Sequence, residues 1–175
     1  MALQPVQPRY EASTATFLLQ VDKGDVGLDN EVLHLEDKDF QPKKETHITV
    51  IGSFQGPKLL ESIRERPELE DRLRDAIQDR DWQFQPLDTW YLISREKTEE
   101  ESSQTVHVES IIRMVEVPGI EGFFQSVSDI FDMDLDPPPT HVTLYTYHDP
   151  EGIAISTKRE LELFIVREVQ PNELP

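Results

Sequence analysis

The chain has 175 residues, 37% hydrophobic and 30% charged, and contains no cysteine, so disulfide scaffolds, Cys-based zinc sites, iron–sulfur clusters and thiol nucleophiles are excluded. Asp and Glu number 35 against 17 Lys and Arg, a net charge of −18. Such a chain repels long polyanions, because non-specific nucleic-acid affinity comes from neutralising phosphates, and coating of duplex nucleic acid is excluded on that ground.

A chain of this length buries roughly two-thirds of its unfolded surface and needs no staple to fold. No apolar run approaches the length of a membrane span, and the first ten residues lack the basic start and apolar core of a signal peptide. The expectation is a cytoplasmic monomer without a membrane partner.

In chain order, residues 1–13 are Pro-rich and read as a loose arm. Residues 14–21 read as a strand, 23–30 as a turn region rich in Gly and Asp, 31–35 as a short strand and 46–52 as a β-branched strand. Gly56-Pro57 opens a helical stretch to about Arg80, broken at Pro67, with Leu59, Leu60 and Ile63 on one face and Leu69, Leu73 and Ile77 after the break. Residues 89–95 and 105–117 read as strands joined by an acidic hairpin loop. Residues 119–131 carry Ile120, Phe123, Phe124, Val127 and Phe131 at amphipathic helical spacing. After a Pro-ending acidic loop, residues 140–147 read as a strand, 148–152 as a turn, 153–156 as a short strand and 160–169 as the last strand. This order predicts an α+β fold of two similar lobes in one domain over residues 14–169, with 170–175 as a tail.

One internal echo stands out. His47-Ile48-Thr49-Val50 and His141-Val142-Thr143-Leu144 share the pattern His–apolar–Thr–apolar, each preceded by Thr and each in a predicted strand. Strand side chains alternate faces, so His47 and Thr49 share one face, as do His141 and Thr143, while the apolar partners enter a core. Two imidazoles can serve as complementary acid and base near neutral pH. Two hydroxyls can donate to phosphate oxygens as charge builds in a transition state.

The duplicated motif, its spacing and the two-lobe order resemble the 2H phosphoesterase superfamily, which includes the 2′-5′ RNA ligase-like proteins and cyclic nucleotide phosphodiesterases. The resemblance spans residues 14–169, although only the two tetrapeptides are specific. It implies antiparallel sheets facing a central groove with helices outside, and phosphodiester chemistry without metal or cofactor. It makes His47 and His141 catalytic and Thr49 and Thr143 phosphate-binding. By the same resemblance His47 is the general acid and His141 the base, the roles exchanging with reaction direction. The implied substrate is a small nucleotide or short RNA end: a 2′,3′-cyclic phosphate, a 2′-5′-linked oligonucleotide or a related cyclic nucleotide. Ligation of 2′-5′ ends and non-catalytic binding of an RNA end are the alternatives. The two imidazoles are expected roughly 4–8 Å apart across the groove, within reach of one phosphate. The acidic envelope is expected to raise both imidazole pKa values and set the optimum at or slightly above pH 7.

Further candidates follow from alternation. Tyr145 and Tyr147 continue the His141 and Thr143 face, where they either stack on a nucleobase or pack at the groove edge. Arg113 shares a face with His107 and Glu109, opposite Val106, Val108, Ile112 and Met114. It either holds a phosphate or lies on an exposed sheet face. Of the adjacent Trp90 and Tyr91, one faces the groove and one the core. Lys43-Lys44 and Lys158-Arg159 flank the two motifs, as a positive cleft mouth or as solubilising charge. Asp132, Asp134 and Asp136 imitate the start of a calcium loop, but Pro137 and Thr143 occupy the positions that need Gly and Glu.

Overall fold

Strands, several of them alternating runs rich in β-branched and aromatic residues, form the larger part of the regular secondary structure. The computed structural model describes residues 2–99 and 102–175, so Met1 and part of the expected acidic hairpin loop lie outside the described residues. The first half comprises β1 (Gln4–Pro5), β2 (Gln7–Glu11), β3 (Thr16–Val21), β4 (Leu33–Leu35), β5 (Lys38–Pro42), β6 (Thr46–Ile51), α1 (Gly56–Glu65) and α2 (Glu68–Gln78). The second comprises β7 (Gln83–Thr98), β8 (Thr105–Glu116), α3 (Ile120–Phe131), β9 (His141–Tyr147), α4 (Lys158–Phe164) and β10 (Ile165–Val169). The mixed α+β class is as expected, and the sheet is antiparallel throughout. Its main path runs β1-β7-β8-β9-β6-β3-β2, with β10 also on β7 and β5 also on β9. The strands expected in separate lobes therefore join where β6 meets β9.

One face of the sheet carries the main core. Ile48, Val50, Val142 and Leu144 from the motif strands are fully buried there, with Leu59 of α1, Leu73 of α2 and Val127 of α3. Phe17, Trp82 and Phe123 lock sheet to helix through ring contacts of 5.2–5.7 Å. A smaller apolar cluster, Ile93, Val108 and Ile112 with Ile153 and Ile155, covers part of the opposite face.

Several expectations need correction. The arm is not loose: β2 pairs with β3 over five residues, and its prolines are tolerated because β2 is a sheet edge. β5, unread in the sequence, forms a hairpin with β4. Residues 153–156 form no strand: Ile153 and Ile155 alternate inward as a strand would, but they pack onto the sheet without joining its ladder. The last predicted strand begins as a helix. Thr157 caps α4 by accepting a hydrogen bond from the Glu160 amide at 3.1 Å, while the Glu160 carboxylate accepts one from the Ser156 amide at 2.6 Å. The Thr-x-x-Glu signal of a helix start stands in the sequence and outweighs the β-branched residues farther on.

Arg113 is a bracket within the fold and lies outside the pocket that holds the two motifs. It is only 9% exposed, donates to the carbonyls of Leu87 (2.8 Å) and Val26 (3.0 Å), and stacks 4.7 Å over the Trp90 ring. Its face of β8 turns to the main core, whereas Ile112 and Met114 occupy the other side. Trp90 shares the Arg113 side, and Tyr91 packs in the smaller cluster. Arg113→Met should lower stability by about 2–4 kcal/mol, since it strands carbonyls inside the protein. Urea unfolding followed by tryptophan fluorescence measures this, with ligand binding at the motif pocket unchanged.

Candidate functional site

The site begins with one residue pair. Ile48 of β6 and Val142 of β9 are antiparallel partners, and both are fully buried. Alternation sends their neighbours to the other face of the sheet. Counting outward along the antiparallel register sets His47 against Thr143 and Thr49 against His141. The two histidines are then diagonal neighbours, whose Cβ atoms in such a ladder lie about 7–8 Å apart or somewhat less. All four side chains are half-buried and line one pocket of about 300 Å³.

Each motif is set by matching local devices. Thr46 donates its hydroxyl to the Val21 carbonyl (2.9 Å), and Thr140 donates to the Val115 carbonyl (2.6 Å). Each bond ties the start of a motif strand to the neighbouring strand. After each motif comes a glycine whose backbone lies against the methyl of the motif threonine. A Cβ on Gly52 would sit 3.0 Å from Thr49 Cγ2, and one on Gly152 would sit 3.3 Å from Thr143 Cγ2. Gly152 also has φ +83°, a left-handed conformation that favours glycine.

A strap, residues 149–156, borders the pocket, and its residues 151–156 line it. Lys43 Nζ donates to the carbonyls of Pro150 (2.8 Å) and Glu151 (3.2 Å), and Lys97 pairs with Asp149 at 2.6 Å. The backbone amide of Lys43 donates to Leu144 of β9 at 2.8 Å. One lysine thus joins the approach to β6, strand β9 and the strap. Sequence reasoning placed Lys43 only as a mouth charge and missed its fastening role, along with Gln55, which lines the pocket and donates to the Asp136 carbonyl at 2.7 Å. Nothing local in the sequence signals contacts across so many residues.

Tyr145 and Tyr147 are not part of this pocket. A bulge on β9 pairs Ile111 with Tyr145 and Ile112 with Thr143, so Leu144 is extra and the alternation slips by one. Tyr145 is consequently 1% exposed inside the main core. Tyr147 packs against Phe40 at 5.6 Å between ring centres. Of the seven candidate residues, the structure brings together His47, Thr49, His141 and Thr143, and leaves Tyr145, Tyr147 and Arg113 outside.

The ring nitrogen Nδ1 of His141 lies 2.9 Å from the Pro139 carbonyl. A carbonyl only accepts, so Nδ1 carries the proton and Nε2 of the neutral ring keeps its lone pair. Burial pushes the His141 pKa below the ordinary imidazole value, and nearby His47 adds to the push against the Pro139 hydrogen bond. Burial likewise lowers His47, followed by the Lys43 charge, with Glu45 and Glu151 opposing and Arg9 adding a smaller push. The expected upward shift from the acidic envelope is overturned, because desolvation inside the pocket outweighs distant screened charge.

No protein-family model, curated protein or solved structure matches this chain.

These shifts carry a stability signature. An imidazole whose folded pKa lies below its unfolded value binds fewer protons when folded. Its contribution to stability is therefore complete above about pH 6.5 and is lost as pH falls toward the lowered folded values. The difference in unfolding free energy between the parent and a His47→Gln/His141→Gln double variant should shift against the parent between about pH 7.5 and pH 5. Paired urea titrations at the two pH values measure that shift.

Proposed function

We propose that this chain is a metal-independent phosphodiesterase of the 2H type, acting on ribose-linked phosphodiesters. The observation that carries the reading is the Ile48–Val142 pairing, which puts two His-x-Thr motifs head to tail on one pocket wall. The matched Thr bonds and glycine contacts support reading the two motif regions as related halves of a bilobal fold.

In this reading a 2′,3′-cyclic phosphate enters with its non-bridging oxygens on the Thr49 and Thr143 hydroxyls. His141 Nε2 takes a proton from water as the oxygen attacks phosphorus. The bond to one ribose oxygen breaks, and His47 gives that oxygen its proton, leaving a phosphomonoester. Both imidazoles are neutral in the free protein near pH 7, since burial lowers both pKa values. The negative charge of a bound diester raises the pKa of an adjacent imidazole, so substrate itself recruits the acid proton. The Nδ1 bond to Pro139 supports His141 as base in the hydrolytic direction.

Incubation with 2′,3′-cyclic nucleotides tests the reading. Turnover should persist in chelator. It should fall on the order of 10²–10⁴-fold in His47→Ala or His141→Ala, and roughly 10²-fold or more in Thr49→Val or Thr143→Val. Binding without turnover on any cyclic or 2′-5′-linked substrate would instead make the chain a binding module.

The pH profile gives a second test. kcat/KM reports the free enzyme, where one imidazole must be charged and one neutral. With both pKa values lowered, the bell should centre below about pH 6.5, on the acid side of ordinary imidazole. A centre above neutrality would mean that desolvation does not govern these rings.

A further inference from the structure

The pocket that holds the two motifs is poor in cations. Among the described residues that line it there is no lysine or arginine, and Glu151 of the strap is the one carboxylate. The rest of the lining is hydroxyls, the Gln55 amide, aliphatic groups and the two imidazoles. The cations whose charge reaches His47, Lys43 and Arg9, are placed elsewhere. Lys43 gives its ammonium to the Pro150 and Glu151 carbonyls at 2.8 and 3.2 Å. Arg9 lies with Glu45 in a separate hollow of about 20 Å³ that shares His47 and Leu18 with the pocket. Glu151 is exposed, and its backbone is held at both ends: Lys43 binds its carbonyl, and its amide donates to the Asp149 carboxylate at 3.0 Å. Its charge also reaches His47.

We infer that Glu151 is a specificity-determining residue that makes the motif pocket selective for singly charged phosphodiesters over doubly charged phosphomonoesters, so that the chain expels the product of its proposed reaction. The inference rests on the phosphodiester reading of the pocket. A diester carries one negative charge, which one imidazolium balances. Hydrolysis adds water across a P–O bond and leaves a monoester that loses its second proton at about pH 6. At neutral pH the pocket then faces a second negative charge. A second imidazolium is opposed, since a charge on His47 lowers the pKa of His141. No lysine or arginine in the lining takes up the added charge, and the strap carboxylate repels it. Repulsion between an exposed carboxylate and one ligand charge is modest, about threefold in affinity, on the scale of exposed ion pairs. Electrostatic energy is proportional to the ligand charge, so the factor for a dianion is the square of that for a monoanion, about tenfold.

The test is calorimetric titration at about pH 7.5, where the monoester is doubly charged, with 3′-deoxyadenosine 2′-phosphate and its methyl ester. The two ligands differ by one charge and carry no neighbouring hydroxyl to attack phosphorus. Glu151→Gln removes the carboxylate charge and leaves both backbone hydrogen bonds in place. It should tighten the methyl ester about threefold and the monoester about tenfold, and both gains should shrink at about 1 M salt. Glu151→Lys should extend both gains in the same direction, the monoester again by the square of the ester's factor. Circular dichroism of each variant checks that the fold survives. A change in packing would move both ligands by one factor, so equal factors overturn the inference, as does a monoester affinity unchanged in both variants. Turnover of a 2′,3′-cyclic nucleotide, measured alongside, keeps the two readings apart. Turnover with equal factors leaves the phosphodiesterase reading standing and refutes the charge filter. The squared relation without turnover of any cyclic or 2′-5′-linked substrate leaves the filter standing and refutes the hydrolytic reading. If neither ligand binds the parent or the variants, the filter falls, and the phosphodiester reading falls with it where turnover is absent too.

Discussion

The pairing of Ile48 with Val142 is the constraint on which the site depends. Both side chains are sealed in the main core, so the period of a strand gives their neighbours no choice of face. A slip of one residue between β6 and β9 would bury the histidines and expose the apolar partners. The burial of Ile48, Val50, Val142 and Leu144 thus holds the register that aligns the four polar groups. The same pair joins the β2-β3-β6 side of the sheet to the β9-β8-β7 side.

Lys43 extends that constraint to the strap at the border of the pocket. Its amide bonds to β9 at the bulge, and its ammonium bonds to two strap carbonyls. A lysine satisfied by neutral carbonyls keeps its charge unpaired, and this charge helps hold His47 neutral. The strap is fastened a second time by Ile153 and Ile155, which close the smaller apolar cluster. Polar fastening at one end and apolar packing at the other keep a segment without ladder hydrogen bonds in place beside the pocket.

Charge works on two scales. The net charge of −18 sets the behaviour of the molecule toward large polyanions. The pocket answers to its immediate surroundings, where desolvation depresses both imidazoles and exposed carboxylates are screened by solvent. An acidic protein can therefore hold neutral imidazoles in a pocket.

Much of the organisation was legible in the residues. The amphipathic spacing of α3, the Pro67 break between α1 and α2, and the alternation on β8 follow from local periodicity. The duplicated His-x-Thr named the four side chains that meet in one pocket, because a buried apolar pair determines the faces of its neighbours wherever the strand is regular. What local pattern could not supply was decided by tertiary contact. The bulge at Leu144 turned Tyr145 into the core, and a strand bulge is an accommodation to the partner strand, absent from the periodicity of its own sequence. Arg113 became a bracket because folding brought the Leu87 and Val26 carbonyls to it from distant parts of the chain. The direction of the imidazole shifts came from enclosure beside a strap fastened by Lys43, and enclosure is a property of the folded volume that no count of charges contains.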